Sequence, residues 1–374
     1  MRCYHVRTNP GLEALLSAEL ARRRPDAVLA VRPQSRVGWV SVELPDTAAA
    51  PDWAALRVAY EAVEVTAVHD LLTPGTPVPA DGAAWLARIV AAAEGGALPE
   101  IPTGATLAVR CRREGSHPFS SPEVERAVGA VVVGATAARV NLSSPDVTVR
   151  ADLSEALLVI GRLAWEEAGR FRWLYRPRVT LSPVVAAACL RLAVAADPQH
   201  PDGRSARALT GLLDPFCGSG TIPLEAADQL ARDPALLPGE ASLIRGCDTS
   251  GEAVAGAGAN AEANGLQERV EFLQADARRP APLPPEARIS HIVCNPPFGV
   301  RMGRRMEFGR FYREVLDAAA TVTRPGSRMV LLSSRRRARL NQAIQASPAW
   351  RIAGVHLIEI GGVYPGIFVL DRLD

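Results

Sequence analysis

Lysine is absent from this chain: all 42 basic residues among its 374 are arginine. That excludes the usual phosphate-binding loop of nucleotide hydrolases, which needs Gly-Lys-Ser/Thr. Arginine is a good phosphate fork, yet a substitution that extends over every surface reads as codon bias before it reads as selection for nucleic acid. A strong charge of either sign is also missing, since the net charge is +2 and the pI is near 8.3. The chain therefore lacks the global basic footprint of a nucleic-acid binder, and any RNA contact has to come from local patches. No apolar run of about eighteen residues is present to span a bilayer, and the opening Met1 to Arg7 has no apolar signal segment. The expectation is a cytoplasmic protein with no membrane partner. The six cysteines, Cys3, Cys111, Cys189, Cys217, Cys247 and Cys294, form no Cys-x-x-Cys pair and have no neighbouring histidine. Neither a disulfide framework nor a zinc site is expected, and no other metal site is indicated.

What is present is a chain long enough for two or three domains, with 48% hydrophobic residues to build cores. Its two most informative strings are Leu212-Leu-Asp-Pro-Phe-Cys-Gly-Ser-Gly-Thr221 and Val293-Cys-Asn-Pro-Pro-Phe-Gly299. Each reads as a buried parallel strand that breaks into turn residues before a helix, and ligands of open α/β sheets bind at such strand ends. The first loop is not the dinucleotide fingerprint, because no third glycine follows Gly218 and Gly220. Those two glycines allow close backbone approach to a ligand, and the following helix N-terminus suits a carboxylate. Pro223 falls in the first helical turn, where proline is tolerated. Strands at 243–247, 270–273 and 289–294 alternate with helical stretches, which is the pattern of a doubly wound sheet. They end at Asp248, Asp276 and Asn295.

Asp-x-x-x-Gly-x-Gly followed by Asn-Pro-Pro-Phe resembles the class I methyltransferases that use S-adenosylmethionine on an exocyclic amine. The resemblance implies a Rossmann-like domain with a mostly parallel seven-stranded sheet and an antiparallel C-terminal hairpin. It also implies cofactor contacts from Asp214, Pro215, Phe216, Gly218, Ser219, Gly220 and Thr221 around the methionine end, with Asp214 near its ammonium. Asp248 and Thr249 would serve the ribose, and Asp276 with Ala277 the adenine. A carboxylate can accept two hydroxyls at once, which suits Asp248 to that place. The interval from Asp214 to Asp248 is longer than usual, and the Pro-rich 232–239 reads as the inserted loop.

Asn295, Pro296 and Phe298 carry the chemistry in this reading, with Asn295 also beside the cofactor. A guanine or adenine amine is a poor nucleophile because its lone pair is delocalised into the ring. The Asn295 side-chain oxygen and the Pro296 carbonyl can hold its two hydrogens so that the lone pair faces the sulfonium methyl, and Phe298 can stack on the base. Methylation of cytosine C5 would require a nucleophilic cysteine. Cys217 and Cys294 lie in the loop and in a strand, where inert packing is expected.

The first half of the chain carries no catalytic constellation. Strands at 4–8, 27–31 and 37–44 and helices at 9–23 and 53–63 give a small α+β layout. A Pro/Gly-rich break at 73–79 precedes a helix at 82–93. Then follow a strand at 106–112, a helix at 121–133 with Pro122 at its start, and strands at 138–142, 147–153 and 157–162. Arg110 to Glu125 and Asn141 to Val149 resemble the core of a THUMP domain, which implies RNA binding, usually at a single-stranded tRNA end, and a preceding ferredoxin-like unit. His117, alone before Pro118, reads as a turn residue. The stretch Arg170 to Arg178 interleaves arginines with Phe171, Trp173 and Tyr175, which suits a half-buried strand or an RNA-contacting linker.

Candidate RNA contacts are Arg110, Arg112, Arg113, Arg172, Arg176, Arg301, Arg304 and Arg305, with Arg335, Arg336, Arg337 and Arg339 second to them. The expected domains are a ferredoxin-like unit at 1–65, THUMP at 66–165, a linker at 166–180 and the methyltransferase domain at 181–374. Over nearly its whole length the chain resembles THUMP-containing tRNA guanine-N2 methyltransferases, which act on the acceptor stem, commonly at position 6. A ribosomal-RNA guanine-N2 methyltransferase shares all these modules. A DNA adenine methyltransferase fits the THUMP-like half poorly, and a silent RNA-binding adaptor fits the intact acids and Asn295 poorly. The partner expected is tRNA, with rRNA open, and the expected oligomeric state is a monomer.

Overall fold

A computed structural model describes residues 1–72, 77–178, 180–195, 207–233, 237, 239, 243–283, 287, 289–297, 307–333 and 337–374. The chain forms two compact units. The first holds Met1–Arg7, Arg23–Ala55 and Ala59–Glu167. The second holds Thr8–Arg22, which is most of helix α1 (Glu13–Arg23), together with Leu56–Val58 and Ala168–Asp374.

The first unit is built on one nine-stranded sheet. Its strands are β1 (Arg2–Arg7), β2 (Val28–Val31), β3 (Trp39–Leu44), β4 (Glu61–Asp70), β5 (Thr106–Arg110), β6 (Arg113–Glu114), β7 (Arg139–Val140), β8 (Val147–Ser154) and β9 (Leu157–Glu166). They run in the order β2-β3-β1-β4-β9-β8-β5-β7, with β6 beside β8. Helices α2 (Gly82–Gly95) and α3 (Ser121–Thr136) bury Trp85, Ile89, Val124, Val128 and Val132 in a core with Leu107, Val149 and Leu158. Ser120 caps α3 in a reciprocal box with Glu123, which satisfies two otherwise orphaned N–H groups.

A helix expected over 53–63 is absent. One 3₁₀ turn at Trp53–Ala55 is followed by β4, which pairs with β1 on one side and β9 on the other. Val63, Val65, Thr66 and Val68 are β-branched, stiff at χ1, and fit a pleated surface better than a helix.

The second unit has the alternating order expected of it. Helix α4 (Pro183–Val194) precedes β10 (Leu212–Asp214), α5 (Thr221–Arg232), β11 (Ile244–Asp248), α6 (Gly251–Ala263), β12 (Glu271–Gln274) and β13 (Ile289–Cys294). Then come α7 (Phe308–Val322), β14 (Thr323–Ser333), α8 (Arg337–Gln345), β15 (Trp350–Leu357) and β16 (Gly366–Arg372). The seven strands lie in the order β12-β11-β10-β13-β14-β16-β15, parallel except for β16. Chain order reverses between β10 and β13, so a crevice opens there, at the place where such sheets bind ligands. Phe311, Tyr312, Val315, Leu316 and Trp350 pack with Ile292, Cys294, Met329 and Leu331 on one face.

Segments distant in sequence complete this unit. Asn9 donates to the Glu359 carbonyl at 2.8 Å, and the Glu359 N–H donates to the Pro10 carbonyl at 2.9 Å. Glu225 of α5 is fully buried, paired with Arg170 at 2.8 Å and Arg57 at 3.4 Å, while Arg57 also meets Asp228 at 2.6 Å. Such pairs are costly to break from one side, because the remaining charge is stranded in a low dielectric. Residues 170–178, for which a strand is one expectation, form none. Their alternating exposure persists, but their backbone hydrogen bonds go to side chains of α6.

Candidate active site

Leu212 and Leu213 are buried in a parallel ladder that carries Asp214 to the strand end, where its carboxylate is 1% exposed and accepts the Phe216 N–H at 3.0 Å. Burial, reinforced by the nearby Asp248 charge, pushes the Asp214 carboxyl up to about 8, against the partial relief of the Phe216 hydrogen bond. The loop then turns back over β11, with the Cys217 N–H on the Cys247 carbonyl at 2.8 Å. Gly218 and Gly220 have φ of +53° and +84°, a region that disfavours side chains. A Cβ on Gly220 would lie 2.9 Å from the Phe272 ring, whereas one on Gly218 would meet none of the described residues within 4 Å. The loop is thus tight underneath and open at Gly218. Pro215 is buried, Phe216 half-buried, and Ser219 and Thr221 share a hydroxyl contact at 3.3 Å at the start of α5.

Asp248 leaves the end of β11 with one oxygen on the Gly218 N–H at 3.1 Å and the other on the Ser250 N–H at 3.0 Å. Each oxygen keeps acceptor capacity for a further donor. Its neighbour Thr249 is exposed and accepts from the Gln274 amide at 2.9 Å through its carbonyl. Asp276 lies beyond β12, where Arg278 grips its carboxylate with its side chain at 2.6 to 3.1 Å and its backbone N–H at 3.0 Å. That hydrogen bonding holds the Asp276 carboxyl below its ordinary value. Asp276 and the half-buried Ala277 line a small cavity with Pro215, Cys247 and Ala275.

β13 is parallel to β10 and ends at Cys294, just before Asn295 and buried Pro296. The Asn295 side-chain oxygen is fully buried and accepts no hydrogen bond among the described residues. An unmade bond of this kind costs free energy, so a donor is expected to complete it. Phe298, Arg301, Arg304 and Arg305 lie outside the described residues, as do Arg335 and Arg336.

The thiols around this crevice are unsuited to nucleophilic work. Burial pushes Cys189 up to about 12 and Cys247 up to about 11, and it raises Cys217 and Cys294 as well. All four stay neutral near pH 7, without the thiolate that a C5 methylation would need. Among the described residues, no group of three or more His, Cys, Asp or Glu side chains is arranged to hold a metal, and no helix is long and apolar enough to cross a membrane.

In the first unit Arg110, Arg112 and Arg113 line one open cleft together with Arg150, Ser121, Ser143 and Thr148. Each of the three also holds an internal partner. Arg110 reaches the Leu142 carbonyl at 2.5 Å, Arg113 the Ser121 hydroxyl at 3.2 Å, and Arg112 the buried Glu61. Glu61 is shared with Arg7 and Arg150, so one carboxylate orients the base of the cleft. His117 hydrogen-bonds the Glu155 carbonyl at 2.7 Å, as befits a turn residue. Arg172 and Arg176 are exposed on the second unit, with Arg176 5.9 Å from the Trp173 ring centre.

One group of residues carries no local sequence signal of this kind. Arg57, Glu225 and Arg170 meet only through the fold. Asn260 and Asn264, by contrast, stand out in the Ala/Gly-rich Gly251–Ala263 helix and its C-cap, and an amide pair four residues apart faces one way on a helix.

Residues 180–365 match the RMKL-like methyltransferase domain, and residues 86–161 match the THUMP domain. A tRNA (guanine(6)-N2)-methyltransferase of Thermus thermophilus is 36% identical over 368 residues, with 98% of each chain covered. A protein of the same description from Archaeoglobus fulgidus is 28% identical over 71% of this chain and 70% of its own. The crystal structure of TrmN from Thermus thermophilus superposes over all of both chains with a TM-score of 0.73 and 33% identity. With both domains matched and near-complete coverage of a relative at 36% identity, the chain belongs to the family of THUMP-containing tRNA (guanine-N2)-methyltransferases.

Proposed function

We propose that this protein methylates the exocyclic N2 amine of a guanosine in tRNA, at position 6 of the acceptor stem, in the cytoplasm. The observation that carries the chemistry is the buried Asn295 oxygen just beyond the end of β13, which has no hydrogen-bond partner among the described residues. S-adenosylmethionine, the methyl donor of this fold, supplies an electrophilic methyl group on a sulfonium that becomes neutral on transfer. The residues fit it: the open Gly218 position admits a ligand against the backbone, and the start of α5 suits its carboxylate. Asp214, at the end of β10 just before the loop, would face its ammonium, and Asp248 has the acceptor capacity for two ribose hydroxyls. The place of Asp276 beside the cavity at Ala275 and Ala277 fits the adenine, with its amine sharing the carboxylate with Arg278.

Asn295 and the Pro296 carbonyl then orient the guanine amine. Each acceptor would hold one N2 hydrogen, which turns the nitrogen lone pair toward the methyl that S-adenosylmethionine would supply, and the surplus N2 proton would pass to water. Alignment is the main device, worth about two orders of magnitude for a misplacement of an ångström. Phe298 follows Pro297 and stacks on the base. The cleft of Arg110, Arg112 and Arg113 takes the RNA backbone, aided by Arg172, Arg176 and the arginines at 301, 304 and 305.

The test is incubation with methyl-labelled S-adenosylmethionine and unmodified tRNA or rRNA, followed by nucleoside digestion. Label in N2-methylguanosine from tRNA is expected. Label confined to rRNA, or to methyladenosine, would overturn the substrate or the amine.

A further inference from the structure

Asn260 sits on α6 with none of its surface exposed, and every hydrogen-bonding position of its amide is filled. Its oxygen accepts the Leu174 N–H at 2.8 Å and the Tyr175 N–H at 2.9 Å. Its nitrogen donates to the Tyr175 carbonyl at 2.8 Å and to the Ser219 carbonyl at 3.0 Å. A flipped amide would set NH₂ against two N–H groups and oxygen against two carbonyls, so the orientation is fixed. Ser219 belongs to the glycine loop. Leu174 and Tyr175 belong to the strap 171–178, whose Arg172, Leu174, Arg176 and Arg178 point to solvent.

Two further contacts seat the strap on the same helix. Asn264 accepts the Arg172 N–H at 2.9 Å and donates to the Arg172 carbonyl at 2.8 Å. Tyr175 lies so close over Gly256 that a Cβ there would be 2.2 Å from the ring. Residues 172–175 are therefore tied by their backbone to α6, and one buried amide of α6 reaches from them to the cofactor loop.

We propose that Asn260 is a positioning residue that couples the seating of tRNA on the strap to cofactor binding at the glycine loop. The proposal rests on the reading of Arg172 and Arg176 as RNA contacts. Phosphates drawn to these outward arginines load the strap backbone, and a shift of the strap moves the amide that holds the Ser219 carbonyl. A hydrogen bond of 3.0 Å weakens sharply with a displacement of half an ångström or so, so the two ligands bias one arrangement. Linkage makes the effect reciprocal.

The experiment uses the full chain, S-adenosylhomocysteine as a non-reacting probe, and an unmodified tRNA transcript. The dissociation constant of the probe is measured with and without saturating tRNA. In the wild type the ratio is expected to differ from unity by about five-fold or more, the lower end of measured couplings, and to fall below about two-fold in Asn260→Asp. Gly256→Ala is the second variant, because its Cβ displaces Tyr175 and leaves the Asn260 bond to Ser219 available. It carries the test if Asn260→Asp does not fold, and it is expected to lose the coupling as well.

A purely structural role would weaken binding with and without tRNA equally. An unchanged ratio in the variants overturns the proposal, as does a wild-type ratio of one. Arg172→Glu with Arg176→Glu separates the two levels: unchanged tRNA affinity and salt dependence would overturn the RNA reading of the strap itself.

Discussion

Replacing Asp214 with Asn probes a carboxyl whose ionisation is set by the fold. Burial, and then the neighbouring Asp248 charge, hold its pKa at about 8 against an ordinary 3.8. At pH 7 the ligand-free protein therefore carries Asp214 largely protonated, and ionising it costs about 1.4 kcal/mol, one pKa unit. If the carboxylate faces the ammonium of S-adenosylmethionine, binding must release that proton. A pKa of about 8 corresponds to release of about 0.9 proton per ligand at pH 7 and to an affinity that rises about tenfold from pH 6 to pH 7. Asp214→Asn shares any titration of the ligand but lacks this step, so its affinity is expected to stay nearly level over that range.

The assay is calorimetric titration in two buffers of different ionisation enthalpy. Stability gives an independent sign. A raised native pKa favours the native state most below pH 3.8, and this contribution is lost as pH rises to about 8. Ligand-free Asp214→Asn is thus expected to gain on the wild type by about 1.4 kcal/mol per pH unit between pH 5 and pH 7, and by less as pH approaches 8. No proton release, with equal pH profiles for the two proteins, would refute the reasoning.

Asn295→Ala is expected to slow single-turnover methyl transfer by about a hundredfold or more at saturating cofactor, with a modest change in cofactor affinity. Asn295→Asp should retain more activity because it still accepts the same hydrogen bond, and a wild-type rate for the Ala variant would make the tetrapeptide a turn and nothing more. Arg57→Leu in the full chain should lower stability to denaturant, but by less than the about 3 to 5 kcal/mol of a fully stranded charge, because Glu225 keeps Arg170 and Asp228 keeps Arg232. A fragment beginning at Thr180 removes both Arg57 and Arg170 and is expected to bind cofactor poorly, where the sequence alone points to a self-sufficient catalytic fragment. Full cofactor affinity in that fragment would show the buried ion network to be dispensable.

The catalytic half was legible because its elements announce themselves locally. Apolar runs such as Leu212 to Leu213 and Ile289 to Cys294 end in turn residues, and the parallel-sheet rules place those ends together. That Asp214 and Asp248 end strands and that Asn295 follows one needed no contact to be read. What sequence could not give was anything settled by long-range pairing. The helix expected at 53–63 gives way to a strand, because the β-branched run from Val63 pairs with β1 and β9. The second compact unit includes Thr8–Arg22 and Leu56–Val58 because Arg57 meets Glu225 and Asn9 meets Glu359. No local pattern announces partners that far apart. Asp276 was visible as a strand-end acid, while its grip by Arg278 was not.

The central claim is that the nucleophile is the exocyclic amine of one tRNA guanosine, held by Asn295 and Pro296. Inosine differs from guanosine by lacking only that amine, so tRNA transcripts carrying guanosine or inosine at position 6 test the claim directly. Single-turnover assays with labelled S-adenosylmethionine should show methyl transfer to the guanosine transcript and none to the inosine transcript, at similar RNA affinity. Equal transfer to both would contradict amine methylation at that position.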